Sequence, residues 1–283
     1  MRRVPGLIIG SALVLAGCNL SSDLSTTQRL GFVTVLQMWE GDTATLSVVG
    51  QFLQSSPTIQ PQIPNTAAAA DTCAVGDYQG QPEEPGPIKV DNLNAGDTIT
   101  VTTDKAVGKL VPVINMAGSV DYRLVDGPLA FTPGSDVNIV IPGDSGGFPA
   151  HTAKVKTFVT PTFAPIERHP EEDLAINWSP AGATTGAILL DFLYANSAGS
   201  APNKEMFCVL RDDGSFSIPR FIVGGEWDAS PDGAQSVSGI RRNTTIQQDQ
   251  DVLLDVLVQE SVPAIPLTAP DTAASELRAP AAR

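Results

Sequence analysis

Short runs of Val, Ile, Leu, Phe and Thr, each closed by Gly, Pro, Asp or Asn, follow one another along nearly the whole chain. No segment repeats its apolar residues with the helical period of about 3.6 over three turns. That combination leaves extended structure as the way to bury apolar surface, because β-branched and aromatic side chains suit a pleated sheet while Gly, Pro and Asn reverse the backbone. "LGFVTVLQMW" and "TATLSVVGQFL" stand on either side of "EGD", and "IKVDNL" and "DTITVTT" flank Asn94-Ala95-Gly96. "VDYRLV" and "DVNIVIP" continue the series. With 25 Gly and 23 Pro among 283 residues, the chain has enough punctuation to end that many strands.

A break in composition comes at "VTPTFAP", residues 159–165, after which "LAINWSP", "GAILLDFLYA", "QSVSGIRR" and "DVLLDVLVQE" again read as strands. In "EMFCVLRDDGSFSIP" two strands meet through Asp212-Asp213-Gly214, which has the composition of a hairpin turn. Residues 253–258 fit a strand or a helix, and from Val262 the chain turns Pro/Ala-rich and reads as a disordered tail. The expected fold is all-β, with two β-sandwich (Ig-like) units in tandem at 31–160 and 161–261. A flexible tether, 18–30, would precede them and the tail, 262–283, would follow.

The N-terminus, "MRRVPGLIIGSALVLAGC", places a basic start before an apolar run from Leu7 to Gly17. That run is too short for a membrane span, which takes about 20 residues, so 1–17 reads as a signal peptide. Leu15-Ala16-Gly17-Cys18 resembles the lipobox of bacterial lipoproteins. The resemblance implies a diacylglyceryl group on the Cys18 thiol, cleavage just before it, and acylation of the new amine. Each buried methylene adds about 0.8 kcal/mol, so two or more chains hold a protein to a bilayer stably. Asn19, where an aspartate would retain the protein at the inner membrane, implies the outer membrane of the cell envelope. The competing reading is an ordinary secretory signal that contains a cysteine.

Two further cysteines, Cys73 and Cys208, would then meet an oxidising compartment, where an even pair is expected to form a disulfide; one buried thiol in each unit is the alternative. The chain carries 17 Lys+Arg against 31 Asp+Glu, a net charge of -14. Such a surface repels phosphate backbones, which argues against nucleic-acid binding, and suits solubility in an exposed compartment.

The order "NLNAGDTITVT", "DYRLV", "FTPGSDVNIVIPGDSGGF", "FVTP", "IERHPEEDLAINWSP", "FCVLRDDGSFSIP" resembles a group of uncharacterised secreted β-rich proteins of environmental bacteria. The resemblance spans residues 31–225, rests on structural residues and implies no catalytic activity. Asn94 stands where those proteins carry an aspartate, and "EEDL" departs from their pattern.

"GDSGG" around Ser145 also has the form that surrounds a nucleophilic serine. In chymotrypsin-like chains the base precedes that serine, whereas His151 and His169 both follow Ser145. A nucleophile elbow needs a helix straight after the serine, and "FPAHTAKVKTFV" reads as a strand. Ser145 is therefore expected in a turn built by glycine and aspartate, with a dyad to His151 or His169 as a remote alternative. The acids of "DDGSF" and "DQDVLLD" lack the spacing of a calcium loop, and the cysteines and histidines lack zinc spacing, so no metal or other cofactor is expected. Glu171, Glu172, Asp173 and Glu226 could supply a carboxylate pair for glycoside chemistry, but nothing in the sequence brings two of them together. Among the tryptophans, Trp178 reads as core, Trp39 at a strand end reads either way, and Trp227 in "VGGEWDASPDG" is expected to be exposed.

These features point to a lipid-anchored envelope protein with a non-enzymatic structural or binding role, joined to the membrane through its lipid, its ligand and any protein or glycan partner unidentified by the sequence. A carbohydrate-binding module using Trp227 is the alternative, and a serine hydrolase at Ser145 the remote one.

Overall fold

The computed structural model describes residues 28–40, 43–55, 71–78, 91–114, 119–167, 172–182, 186–195, 201–230, 235–262 and 265–268. Residues 1–27, with the expected signal peptide, Cys18 and most of the tether, lie outside the described residues, as do His169, Glu171 and 269–283.

The protein is all-β. Strands β1 (Gln28–Glu40) and β2 (Thr43–Ser55) pair antiparallel along their full lengths. Alternate residues turn inward, so Val33 and Val35 of β1 and Leu46, Val48 and Phe52 of β2 are buried. Two-residue strands β4 (Asp91–Asn92) and β8 (Leu129–Ala130) pair with β2, and β7 (Val120–Leu124) extends the sheet beside it. Next to β7 come β6 (Val107–Ile114), β5 (Ile99–Thr102), β9 (Asp136–Ile141) and the edge strand β10 (His151–Lys156). β9 shows the period of two plainly: Val137, Ile139 and Ile141 are buried while Asp136, Asn138 and Val140 face water.

On the other side of β1 lies β18 (Val252–Val262), pairing parallel from Arg29↔Val252 to Gln37↔Glu260. Then follow β17 (Ser236–Asp249), β14 (Ala187–Tyr194), β15 (Lys204–Arg211) and the far edge, β3 (Thr72–Asp77). A second, three-stranded sheet, β11 (Thr162–Phe163), β13 (Leu174–Ser179) and β16 (Ser215–Ile218), packs across this end with helix α1 (Arg220–Ala229).

The buried side chains form two cores. One gathers β1, β2, β5–β10 and the inward residues Val252, Leu254, Val256 and Val258 of β18. The other gathers β13–β16, α1 and Val237 and Val262 of the last long strands. The main sheet runs without interruption past both, with β10 and β3 as its separate edges. Residues 253–258 are thus strand, and their apolar content reflects burial against the first core.

Three sequence expectations change. Asp212-Asp213-Gly214 is a turn, with Gly214 at φ 103°, but β15 and β16 do not pair; β16 pairs with β13. The chain crosses between sheets there, with the Asp212 side chain buried between Trp178 and Arg241. "RFIVGGEWDA" is helical, where no helix is expected, with Gly224 at φ 63° kinking it. The folded body also continues past Val262: Ile265 is buried, and β19 (Leu267–Thr268) pairs with β12 (Ile166–Glu167). Residues 265–268, expected in the tail, therefore belong to the folded body.

Candidate functional site

Residues 142–148 form a turn that docks on a second turn, Asn94–Gly96. The Phe148 N–H donates to the Asn94 carbonyl at 2.8 Å, and the Gly143 N–H donates to that of Ala95 at 3.1 Å. Asp144 closes its own turn, its carboxylate accepting from the Gly146 N–H at 3.3 Å. The Tyr122 hydroxyl anchors the other turn: it accepts from the Ala95 N–H at 2.8 Å and lies 2.8 Å from Asn94 Oδ1. Ser145 sits exposed at the tip, and no hydrogen bond joins it to His151. His151 places Nδ1 3.3 Å from the Pro149 carbonyl and its ring against Phe148.

Among the described residues, the other singled-out side chains do not converge. Asp173 accepts from the Arg220 N–H at 2.9 Å, at the start of α1, and exposed Glu226 lies 4.0 Å from Lys204. Cys73 and Cys208 are bonded and stand opposite each other in β3 and β15. Among the described residues no three His, Cys, Asp or Glu side chains gather as a metal site would require. No described helix is long and apolar enough to cross a membrane.

Trp227, expected to be exposed, is fully buried. Pro219 follows β16, and α1 then lays Val223 and Trp227, on either side of its kink at Gly224, onto the second core. The indole makes edge contacts with Phe192 and Tyr194. It offers no surface for a ligand to stack on. Trp178 is core as expected, its Nε1–H donating to Asp212 at 2.9 Å.

The chemistry concentrates at the seam between the two cores. Gln37, Arg241 and Glu260 are each buried, Gln37 following the inward Val33 and Val35 of β1 and Glu260 following the inward Leu254, Val256 and Val258 of β18. They hold the segment joining the cores, residue by residue. Gln37 exchanges hydrogen bonds with the Phe158 backbone, both at 3.0 Å. Arg241 donates to the Val159 carbonyl at 2.8 Å and to Asp212 at 2.5 Å, with its guanidinium over the Phe158 ring. The Thr160 hydroxyl donates to Glu260 Oε1 at 2.6 Å.

The same Oε1 accepts from Gln37 Nε2 and from Trp39 Nε1, each at 3.0 Å, while Oε2 is buried with no hydrogen-bond partner. Beside this cluster a cleft of about 790 Å³ is lined by Leu36, Gln37, Met38, Trp39, Thr160 and Val262, with Ser261. Trp39 is 43% exposed at its wall. A fixed indole, two hydroxyls and an apolar rim can bind a ligand. The signal for this cluster in the sequence is the break in alternation. Gln37 in "VTVLQMW" and Glu260 in "VLVQE" fall where the period of two calls for an apolar residue.

Two carboxyls on the opposite face of the main sheet titrate unusually. Burial, reinforced by the charge of and a hydrogen bond with Glu205, pushes Asp191 up to about 6. Burial pushes Asp255 to about 6 as well, with Arg242 opposing the shift. Asp191 Oδ1, Asp255 Oδ1 and Arg242 Nε are buried without hydrogen-bond partners. Compared with protein-family models, with curated proteins and with solved structures, the chain matches none.

Proposed function

We propose that this chain is a lipid-anchored protein of the bacterial cell envelope, facing the periplasm or the cell surface at the outer membrane, whose folded body binds or displays and performs no reaction. The observation that carries the reading beyond the N-terminal motif is the Cys73–Cys208 bond, since disulfides persist in compartments outside the reducing cytosol. The acidic surface, with its net charge of -14, fits a soluble body held beside a bilayer by its lipid and not by protein–lipid charge attraction. Support for a hydrolase at Ser145 is weaker, because that serine stands at an exposed turn tip and no base among the described residues is hydrogen-bonded to it.

Metabolic labelling with an alkyne fatty acid tests the anchor. Wild type should carry the label and sediment with membranes, whereas Cys18→Ala should be unlabelled. An unlabelled wild type that keeps residues 1–17 would overturn the reading. Labelling of Ser145 by a fluorophosphonate probe would restore the hydrolase.

A second reading, carbohydrate binding, loses Trp227 as its platform. The exposed Trp39 in the seam cleft is the observation that favours it now.

A further inference from the structure

We propose that the cleft between β1 and β18 is a binding site for a short neutral oligosaccharide, with Trp39 as its stacking surface and Glu260 as the residue that fixes Trp39 in place. The proposal rests on the reading of the folded body as a binding protein and names its ligand class and site.

The cleft exists because two paired strands part. β1 and β18 are partners up to Gln37↔Glu260 and no further. Beyond that point Met38 and Trp39 remain paired to Thr45 and Ala44 of β2, while Ser261 and Val262 remain paired to Ile240 and Gly239 of β17. Backbone N–H and C=O groups alternate sides along a strand, so those that would have continued the β1–β18 ladder face the gap. The walls therefore offer backbone donors and acceptors as well as the Thr160 and Ser261 side chains. Leu36, Met38 and Val262 supply an apolar border. A sugar, with hydroxyls around its ring and C–H groups on its faces, meets both kinds of surface.

Trp39 is 43% exposed, yet its only polar atom is already satisfied within the protein, by Glu260 Oε1 at 3.0 Å. Glu260 is itself held by Gln37 at 3.0 Å and Thr160 at 2.6 Å. The indole thus stands at the cleft in one orientation, and a ligand stacking on it loses less to ordering a mobile ring. Glu260 has no exposed surface, so it positions Trp39 and does not touch the ligand.

Size and charge narrow the class. At about 790 Å³ the cleft accepts roughly two or three pyranose rings, within the ordinary range for small-molecule sites. No basic side chain lines it, a carboxylate lies directly beneath it, and the whole chain carries -14, so an anionic ligand is disfavoured. An extended peptide would need a longer free edge: the strands are parted only over Met38–Trp39 and Ser261–Val262 of the lining, shorter than a strand that adds to a sheet.

The test uses the full-length protein in detergent, with maltotriose, cellotriose and triacetylchitotriose as probes and tri-alanine as the peptide control. Trp178 and Trp227 are buried, so acrylamide quenching of indole fluorescence reports Trp39. At least one trisaccharide should bind saturably by calorimetry and protect Trp39 from the quencher. Trp39→Ala should weaken that binding at least about tenfold, the scale of a central aromatic contact. Glu260→Ala should weaken it and raise the quenching of Trp39, while Glu260→Gln, whose amide oxygen still accepts from the indole, should restore both. Trp39→Phe, which keeps a ring and fills the same wall, should bind better than Trp39→Ala and serves if the alanine variant fails to fold. Failure of all three sugars up to about 10 mM, saturable binding of tri-alanine alone, or unchanged sugar affinity in Trp39→Ala would each overturn the proposal. None of these outcomes bears on acylation of Cys18, which the labelling experiment decides separately.

Discussion

A Cβ placed on Gly147 would run into the carbonyl oxygen of Asn94, which is backbone and has no rotamer to escape into. That contact is where the "GDSGG" turn seats on the Asn94–Gly96 turn, and Phe148, the next residue, is part of the first core. Gly147→Ala should lower stability by about 1–3 kcal/mol, as overpacking does. Ser145→Ala, two residues away at the exposed tip, should stay within about 0.5 kcal/mol of wild type. Urea denaturation of the two variants measures both; a wild-type midpoint for Gly147→Ala would show that the turns are not seated as described. Asp191 gives a residue-level prediction in pH. Its folded value is raised from 3.8 to about 6. Below the ordinary value both folded and unfolded states hold the proton and stability is at its fullest. As pH rises through the folded value the folded protein must ionise a half-buried carboxyl beside Glu205, and that stability is lost. Asp191→Asn cannot ionise, so its stability relative to wild type should increase between about pH 4 and pH 7. Paired urea titrations at the two ends of that range check the sign, and a difference that shrinks with rising pH would be the wrong one.

At the scale of elements, β3 is an edge strand held from one side only. Thr72, Ala74, Val75 and Asp77 face water, and among the described strands its hydrogen-bonded neighbour is β15 alone. Little apolar burial holds such a strand, so the bond from Cys73 to Cys208, 135 residues on in the chain, is its main tie to the sheet. Replacing both cysteines by alanine should lower global stability by about 2–5 kcal/mol. In hydrogen exchange the amides of 72–77 should lose protection before those of β14 and β15. Retained protection in β3 would mean that its ladder with β15 suffices. Strands like β9 and β13 were legible in the sequence because one buried face imposes a period of two that survives in "DVNIVI" and "LAINWS". Helix α1 was not: two adjacent glycines disfavour a helix locally, and burial of Val223 and Trp227 against Phe192 and Tyr194 overrides that preference. The same override misled the reading of Trp227 as a surface residue. In "RDDGSF" the turn was readable from its composition, but the partner of the following strand was not. Local residues fix a reversal, whereas Ile218 finds Leu174 through packing across the second core. The parallel match of β1 with β18 joins the first described strand to the last long one, and nothing in either local pattern encodes that register.

For the molecule as a whole, the composition break at 159–165 begins in the segment that joins the two cores, and that segment is held residue by residue. Thr157 bonds Ser135, Phe158 bonds Gln37, Val159 bonds Arg241 and Thr160 bonds Glu260, four successive residues tied to side chains or backbone on either side. β18 meanwhile lends one end of its length to each core. Cooperativity follows from this sharing: unfolding either core strips β18 of its packing and leaves Gln37, Arg241 or Glu260 buried without partners, which is a strongly unfavourable intermediate. Heating should therefore give a single calorimetric transition with equal calorimetric and van't Hoff enthalpies. Arg241→Met makes the sharper test, because it removes the cation from beside Asp212, which is fully buried, and leaves the Val159 and Pro180 carbonyls without their donor. Losing one partner of a buried pair costs about 3–5 kcal/mol. Ile188 of β14 stands opposite Arg241, so loosening there is local; if the seam couples the cores, the loss lowers the protection of amides in β9 as well. If instead the variant loosens β14 while β9 keeps its wild-type protection, or if wild type itself melts in two steps, the cores are independent and the shared strand is only a physical neighbour.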